Sequence, residues 1–143
     1  MTQYGLVVQE EEWGCGAACV ASLLGVSYED AKTLVEEEKG IPIDKGDCKN
    51  RLYPGLDLHH LALALKKKII MVADWRKHRD FPDGTIACIG DDDKYKDEHY
   101  ILKTPHGWMD PWLNMGEKPM KAGYRKQYPK GTWFVVALVP VSG

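Results

Sequence analysis

Apolar positions recur at helical spacing in the first part of the chain and in short β-type runs in the second. Residues 15–24 start with small side chains and continue with Val20, Leu23 and Leu24 before Gly25, the pattern of a short buried helix. Ser27-Tyr-Glu-Asp30 has the form of a capping box, with Asp in place of Glu or Gln. It opens a second helix through about Glu38, with Ala31, Leu34 and Val35 on one face. Gly40 ends it, and Ile41-Pro42 prevents its continuation. A third helix is expected over 56–67, with Leu58, Leu61, Ala62 and Leu65 as its stripe.

Residues 4–9 read as a short strand or an extended lead-in. Strands are expected over 69–73, 85–89, 99–103, 108–110 and 132–139, with loops over 41–55, 74–84, 90–97 and 112–130. Helices first and antiparallel strands after them predict an α+β domain, a helical layer against a sheet. The 143 residues suit one domain, 1–143, with one core.

The net charge is -2, so there is no global footprint for nucleic acid or for an anionic membrane. The basic runs at 66–68 and 121–130 read as solvated ends and loops. No apolar run approaches the roughly 20 residues that span a bilayer, and the first residues lack the pattern of a signal peptide. A cytoplasmic location with reduced thiols is therefore expected. The four cysteines, 15, 19, 48 and 88, form no CxxC pair, so a zinc site is not expected, and the cysteine chemistry read below implies no metal and no cofactor.

The candidate chemistry starts at Gln9-Glu-Glu-Glu-Trp13-Gly14-Cys15-Gly16. A cysteine at a helix start is favoured as a thiolate, because the helix dipole lowers its pKa. Gly14 and Gly16 keep Cβ atoms away from it, which leaves room for a substrate carbonyl. Cys19 and Cys88 read as core, and Cys48 lies in a polar loop. The base must be one of His59, His60, His78, His99 and His106. His99 opens an apolar strand after a charged turn, the position that best holds an imidazole against a helix end. Asp110 follows the tight turn 104–107, so hairpin pairing brings it toward His99. Asp57, Asp74 and Asp83 are less well placed to orient that imidazole. The Cys15 N–H and the Gln9 amide are candidate oxyanion donors, glutamine being a donor that does not titrate. Trp13 is a candidate wall of the cleft, and Trp108 and Trp112 are candidate shields of the Asp–His pair.

Gln9 followed six residues later by Cys15-Gly16-Ala17-Ala18, then His99-Tyr100 opening an apolar strand, then Asp110-Pro111, resembles the papain-like cysteine peptidases that process bacteriocin and peptide-pheromone leaders. The resemblance implies a papain-like fold as a stand-alone domain. It implies Cys15 as nucleophile, His99 as general base, Asp110 as orienter and Gln9 in the oxyanion hole. Two departures stand out: Gly14 replaces the family's usual Asp, and the His-to-Asp connection is shorter. The expected function is hydrolysis of a peptide or amide bond in a peptide or protein substrate. The same site chemistry serves an amidase, a deamidase or an acyltransferase acting on protein or peptidoglycan. A non-catalytic peptide-binding module and a thiol redox protein are the other classes.

Overall fold

The computed structural model describes residues 3–11, 14–40, 69–72, 81–90, 99–115, 117–129 and 131–140. Two helices come first. Helix α1 spans Cys15–Leu24 and is buried from Cys15 to Leu23, because its Ala, Gly and Cys side chains let it lie close to the sheet. Gly25 closes it at φ 71°, a left-handed position that glycine occupies without strain. Helix α2 spans Tyr28–Lys39. The Ser27 hydroxyl accepts the Asp30 N–H at 3.1 Å, so the expected cap is formed.

Among the described residues the sheet has six strands: β1 Ile69–Val72, β2 Ile86–Gly90, β3 His99–Thr104, β4 Gly107–Asp110, β5 Gly123–Arg125 and β6 Trp133–Pro140. Their order is β1-β6-β2-β3-β4-β5, and every neighbouring pair is antiparallel. Strands β2 to β5 form a meander, and the last strand slots in between β1 and β2.

Side chains alternate across this sheet as the pleat requires. Ile86, Cys88, Tyr100, Leu102, Met109 and Leu138 join the buried residues of α1 and α2 in one cluster. Ala87, Ile89, Ile101, Trp108 and Ala137 form a second cluster with Phe81. Helix α1 packs on β3 and, more lightly, on β4. The architecture is α+β, with the N-terminal helices on an antiparallel sheet.

One expectation resolves between its two forms and another needs correction. Residues 5–9 join no strand ladder, so of strand and lead-in the lead-in holds. Residues 4–9 are tied at isolated points instead: Tyr4 N–H donates to Ser22 O at 2.7 Å, the Ser22 hydroxyl to Gly5 O at 2.7 Å, the Tyr124 hydroxyl to Tyr4 O at 2.6 Å and Gln9 N–H to Pro111 O at 3.3 Å. The expected loop over 112–130 contains β5, which pairs Trp108 with Arg125 and Asp110 with Gly123. Gly107 makes that pairing possible: its φ is +115°, and a Cβ there would lie 2.6 Å from the Arg125 carbonyl oxygen. The third helix expected over 56–67 lies outside the described residues, as do Cys48, His59, His60 and His78. Among the described residues no helix is long and apolar enough to cross a membrane.

Leu102 is fully buried between β3 and the helices. Leu102→Ala is expected to lose about 2–5 kcal/mol. Ser27→Ala, which removes only the cap, is expected to lose about 0.5–2 kcal/mol. Urea denaturation of the two variants checks both the size and the ranking.

Candidate active site

The N-terminus of α1 is the geometric centre of the site. Gly14 is its N-cap and has no side chain to offer, and the first turn holds no acidic residue. The helix itself therefore supplies no side-chain acceptor for the N–H groups of its first turn, and no carboxylate within that turn offsets its positive end. Cys15 is the first residue of that turn.

His99 begins β3, opposite Ile89 of β2. The hairpin to β4 pairs Leu102 with Met109, Lys103 with Trp108 and Thr104 with Gly107, which leaves Asp110 one rung further on. That register brings His99 Nε2 to 2.6 Å from Asp110 Oδ1. The imidazole is also hydrogen-bonded to the Cys15 side chain. With Nε2 engaged by the carboxylate, Nδ1 is the nitrogen left for the thiol. Cys15, His99 and Asp110 thus form one line, contributed by α1, β3 and β4. All three are buried, at 1%, 2% and 0% exposure.

Gln9 is equally buried, at 1%. Its backbone is held by Pro111, directly after Asp110. Its side-chain Nε2 donates to the Glu11 carbonyl oxygen at 2.8 Å, and the same oxygen accepts the Gly14 N–H at 3.0 Å. The Gln9 amide and the backbone that leads into Cys15 therefore hang from one acceptor.

The charges reinforce one another. Burial would push the His99 imidazole down, but the Asp110 carboxylate, through its charge and its hydrogen bond, outweighs burial and Cys15 adds to it. The result is an imidazole raised to about 10. Burial would raise Asp110, and His99, Arg125 and the Trp112 N–H together hold it down, to about 2. Both groups are ionised at neutral pH. Cys19, one turn into α1, is fully buried, and burial together with Cys15 and Asp110 pushes its thiol well up. Cys88 lies buried in β2.

Arg125 is the site residue that the sequence pattern did not indicate. It sits within the basic run 121–130, which reads as solvated loop. In the fold its Nε donates to Asp110 Oδ2 at 2.7 Å and its guanidinium to Leu113 O at 3.1 Å. The Trp112 N–H donates to Asp110 Oδ1 at 3.0 Å, and the Trp112 indole is buried with its N–H on Glu117 O. Trp108 belongs to the second core cluster, against Phe81 and Tyr128. Gly16 is buried in the first turn of α1. The role of Gly14 differs from the expected one: a Cβ there would overlap the Tyr28 hydroxyl, so the missing side chain makes room for Tyr28. Trp13 lies outside the described residues. Among the described residues, no group of three or more His, Cys, Asp or Glu side chains is placed to hold a metal ion.

Comparison with protein-family models, with curated proteins and with solved structures finds no match of any of the three kinds.

Asp110 ties this site to acid stability. Its depressed folded value stabilises the fold above the unfolded value of about 3.9, and that contribution is lost as pH falls through the folded value. Arg125→Gln removes one of the groups that hold Asp110 down, so its folded value rises toward the unfolded one. The acid unfolding transition of Arg125→Gln, followed by circular dichroism, is expected at higher pH than that of the wild type. An unmoved transition would show that Arg125 contributes nothing to the state of Asp110.

Proposed function

We propose that the protein is a papain-like cysteine hydrolase of amide bonds, acting on a peptide or protein. The observation that carries this reading is the buried hydrogen-bonded line Cys15–His99–Asp110 at the start of α1. A buried cysteine alone is ordinary core. A buried cysteine bonded to a buried, charged imidazole is costly to make, because each ion taken out of water has a desolvation penalty of several kcal/mol. A structural core is more stable without such a pair, whereas nucleophilic catalysis needs it.

In this reading His99 is held as imidazolium by Asp110 and favours the Cys15 thiolate beside it. The thiolate attacks the scissile carbonyl carbon. The carbonyl oxygen becomes an oxyanion and accepts hydrogen bonds from the Cys15 N–H and the Gln9 side-chain amide. His99 gives its proton to the leaving amine, and an acyl-thioester remains on Cys15. Water, deprotonated by His99, attacks the thioester. The acid leaves and the thiolate–imidazolium pair is restored. Asp110 keeps the imidazole in orientation throughout and is not itself protonated. A Cys15–Cys19 redox pair is a poorer reading, since burial holds the Cys19 thiol protonated.

Alkylation tests the reading without knowledge of the substrate. At pH 6, iodoacetamide is expected to modify Cys15 about 10–100-fold faster than it modifies free glutathione, whose thiol is almost wholly protonated there. A rate equal to that of glutathione, with Cys15→Ala indistinguishable from wild type in a search for cleaved peptides, contradicts it. The same assay has a pH signature. Asp110 is the main influence that raises His99, so in Asp110→Asn the alkaline end of the imidazolium-dependent rate moves to lower pH. A profile unchanged by Asp110→Asn would show that the carboxylate does not set the charge of His99.

A further inference from the structure

The residues that hold the oxyanion donors are not those that hold the thiolate pair. Glu11 stands between Gln9 and Cys15 in sequence, and its carbonyl and both carboxylate oxygens are engaged. Its backbone carbonyl accepts the Gln9 amide at 2.8 Å and the Gly14 N–H at 3.0 Å. One oxygen of its carboxylate accepts the Tyr28 hydroxyl. The other accepts Lys32 Nζ at 2.5 Å. Tyr28 and Lys32 are four residues apart on α2, so they present neighbouring groups on one face.

The arrangement has a steric side as well. The Tyr28 ring is buried, and its hydroxyl fills the space where a Cβ at position 14 would be. Glycine before the cysteine and tyrosine at the start of α2 thus fit as a pair. Electrostatically the clamp is stable near neutral pH. Burial would raise Glu11, but its bonds to Lys32 and Tyr28 outweigh burial and lower it. Burial and Glu11 raise Tyr28, which stays a donor. A partly exposed ion pair adds little to stability of its own, and this one ties the segment before α1 to α2. What it grips is the turn that carries both oxyanion donors.

We infer that Glu11, held by Tyr28 and Lys32, is a positioning residue that fixes the oxyanion hole: it anchors the Gln9 amide and sets the backbone leading into the Cys15 N–H. This inference rests on the reading of the site as an acyl-transfer centre. It assigns α2 a part in catalysis, although no residue of α2 touches the reacting atoms. Oxyanion geometry is sensitive, because a misplacement of about 1 Å costs roughly 100-fold in rate.

Two probes of Cys15 separate the oxyanion hole from the thiolate. Acylation by p-nitrophenyl acetate passes through a tetrahedral oxyanion. Alkylation by iodoacetamide is a direct displacement and forms none. Glu11→Gln and Tyr28→Phe are each expected to slow acylation by about tenfold or more, against the roughly 10²–10³-fold typical when an oxyanion donor is removed. Their alkylation rates are expected to stay within about twofold of wild type, since neither changes His99 or Asp110. Gln9→Ala is expected to show the same split, and Tyr28→Phe added to it to cost less than it costs in the wild type, because only the Cys15 N–H is then left to misplace. Gly14→Ala, which displaces the Tyr28 hydroxyl, provides a second route to the same loss should Glu11→Gln fold poorly. Acylation unchanged in Glu11→Gln and Tyr28→Phe overturns the inference, as does an equal loss in both reactions. A wild type that reacts with both reagents no faster than glutathione overturns the acyl-transfer reading itself, and the clamp with it.

Discussion

The Asp110 carboxylate is the group on which this structure turns. It is fully buried, and three donors from three places meet on it: His99 from β3, Arg125 from β5 and the N–H of Trp112 from its own chain direction. Breaking a buried charge pair by removing one partner typically costs about 3–5 kcal/mol. The donors therefore must arrive together, which fixes the register of the sheet edge. A one-residue slip of β4 against β3 or β5 would turn Asp110 to the other face and leave a buried charge with nothing to balance it. The pairings of Thr104 with Gly107 and of Asp110 with Gly123 are thus coupled through a single side chain. Pro111, the next residue, accepts the Gln9 N–H, so the same point also anchors the segment that leads to Cys15.

Helix α1 meets this strand end with its least protected terminus. A helix with a Ser, Thr or Asp cap would satisfy one of its own first N–H groups. Glycine at the cap leaves them to whatever lies in front. In front are a thiol, an imidazolium and a glutamine amide. The small residues along α1 let it sink against β3, which puts Cys15 at the level of His99 at the strand start and buries both. The second helix holds the approach from the other side, through Tyr28 and Lys32 on Glu11. The site is in this sense an assembly of three local devices: a bare helix start, a hairpin end and a clamped turn.

These devices differ in how plainly the sequence shows them. The helix start is local, and small residues ending at Gly25 mark Cys15–Leu24 directly. The meeting of His99 and Asp110 is legible because it needs only a tight hairpin, and the turn between Thr104 and Gly107 is visible in its composition. Strand β5 is not, because three residues in a run of lysine, arginine and glycine show no alternation, and only the fold reveals that Arg125 turns inward to Asp110. The segment before α1 alternates exposed Leu6 and Val8 with buried Val7 and Gln9 as a strand would, yet its backbone finds isolated partners and no ladder. The Glu11–Tyr28 bond spans 17 residues with no pattern to announce it. Gly14 shows the difference most sharply: from the sequence its missing side chain suggests room for substrate, and in the structure that room belongs to Tyr28.

The account stands on His99 being charged beside Cys15 and Asp110, and this can be observed directly. In protein labelled with ¹⁵N-histidine, the His99 ring nitrogens report their protonation by NMR as pH is raised. The account predicts that both nitrogens of His99 carry protons at neutral pH and that the ring loses one only near pH 10. A His99 that is singly protonated at pH 7, titrating near the ordinary imidazole value of about 6.5, would contradict it.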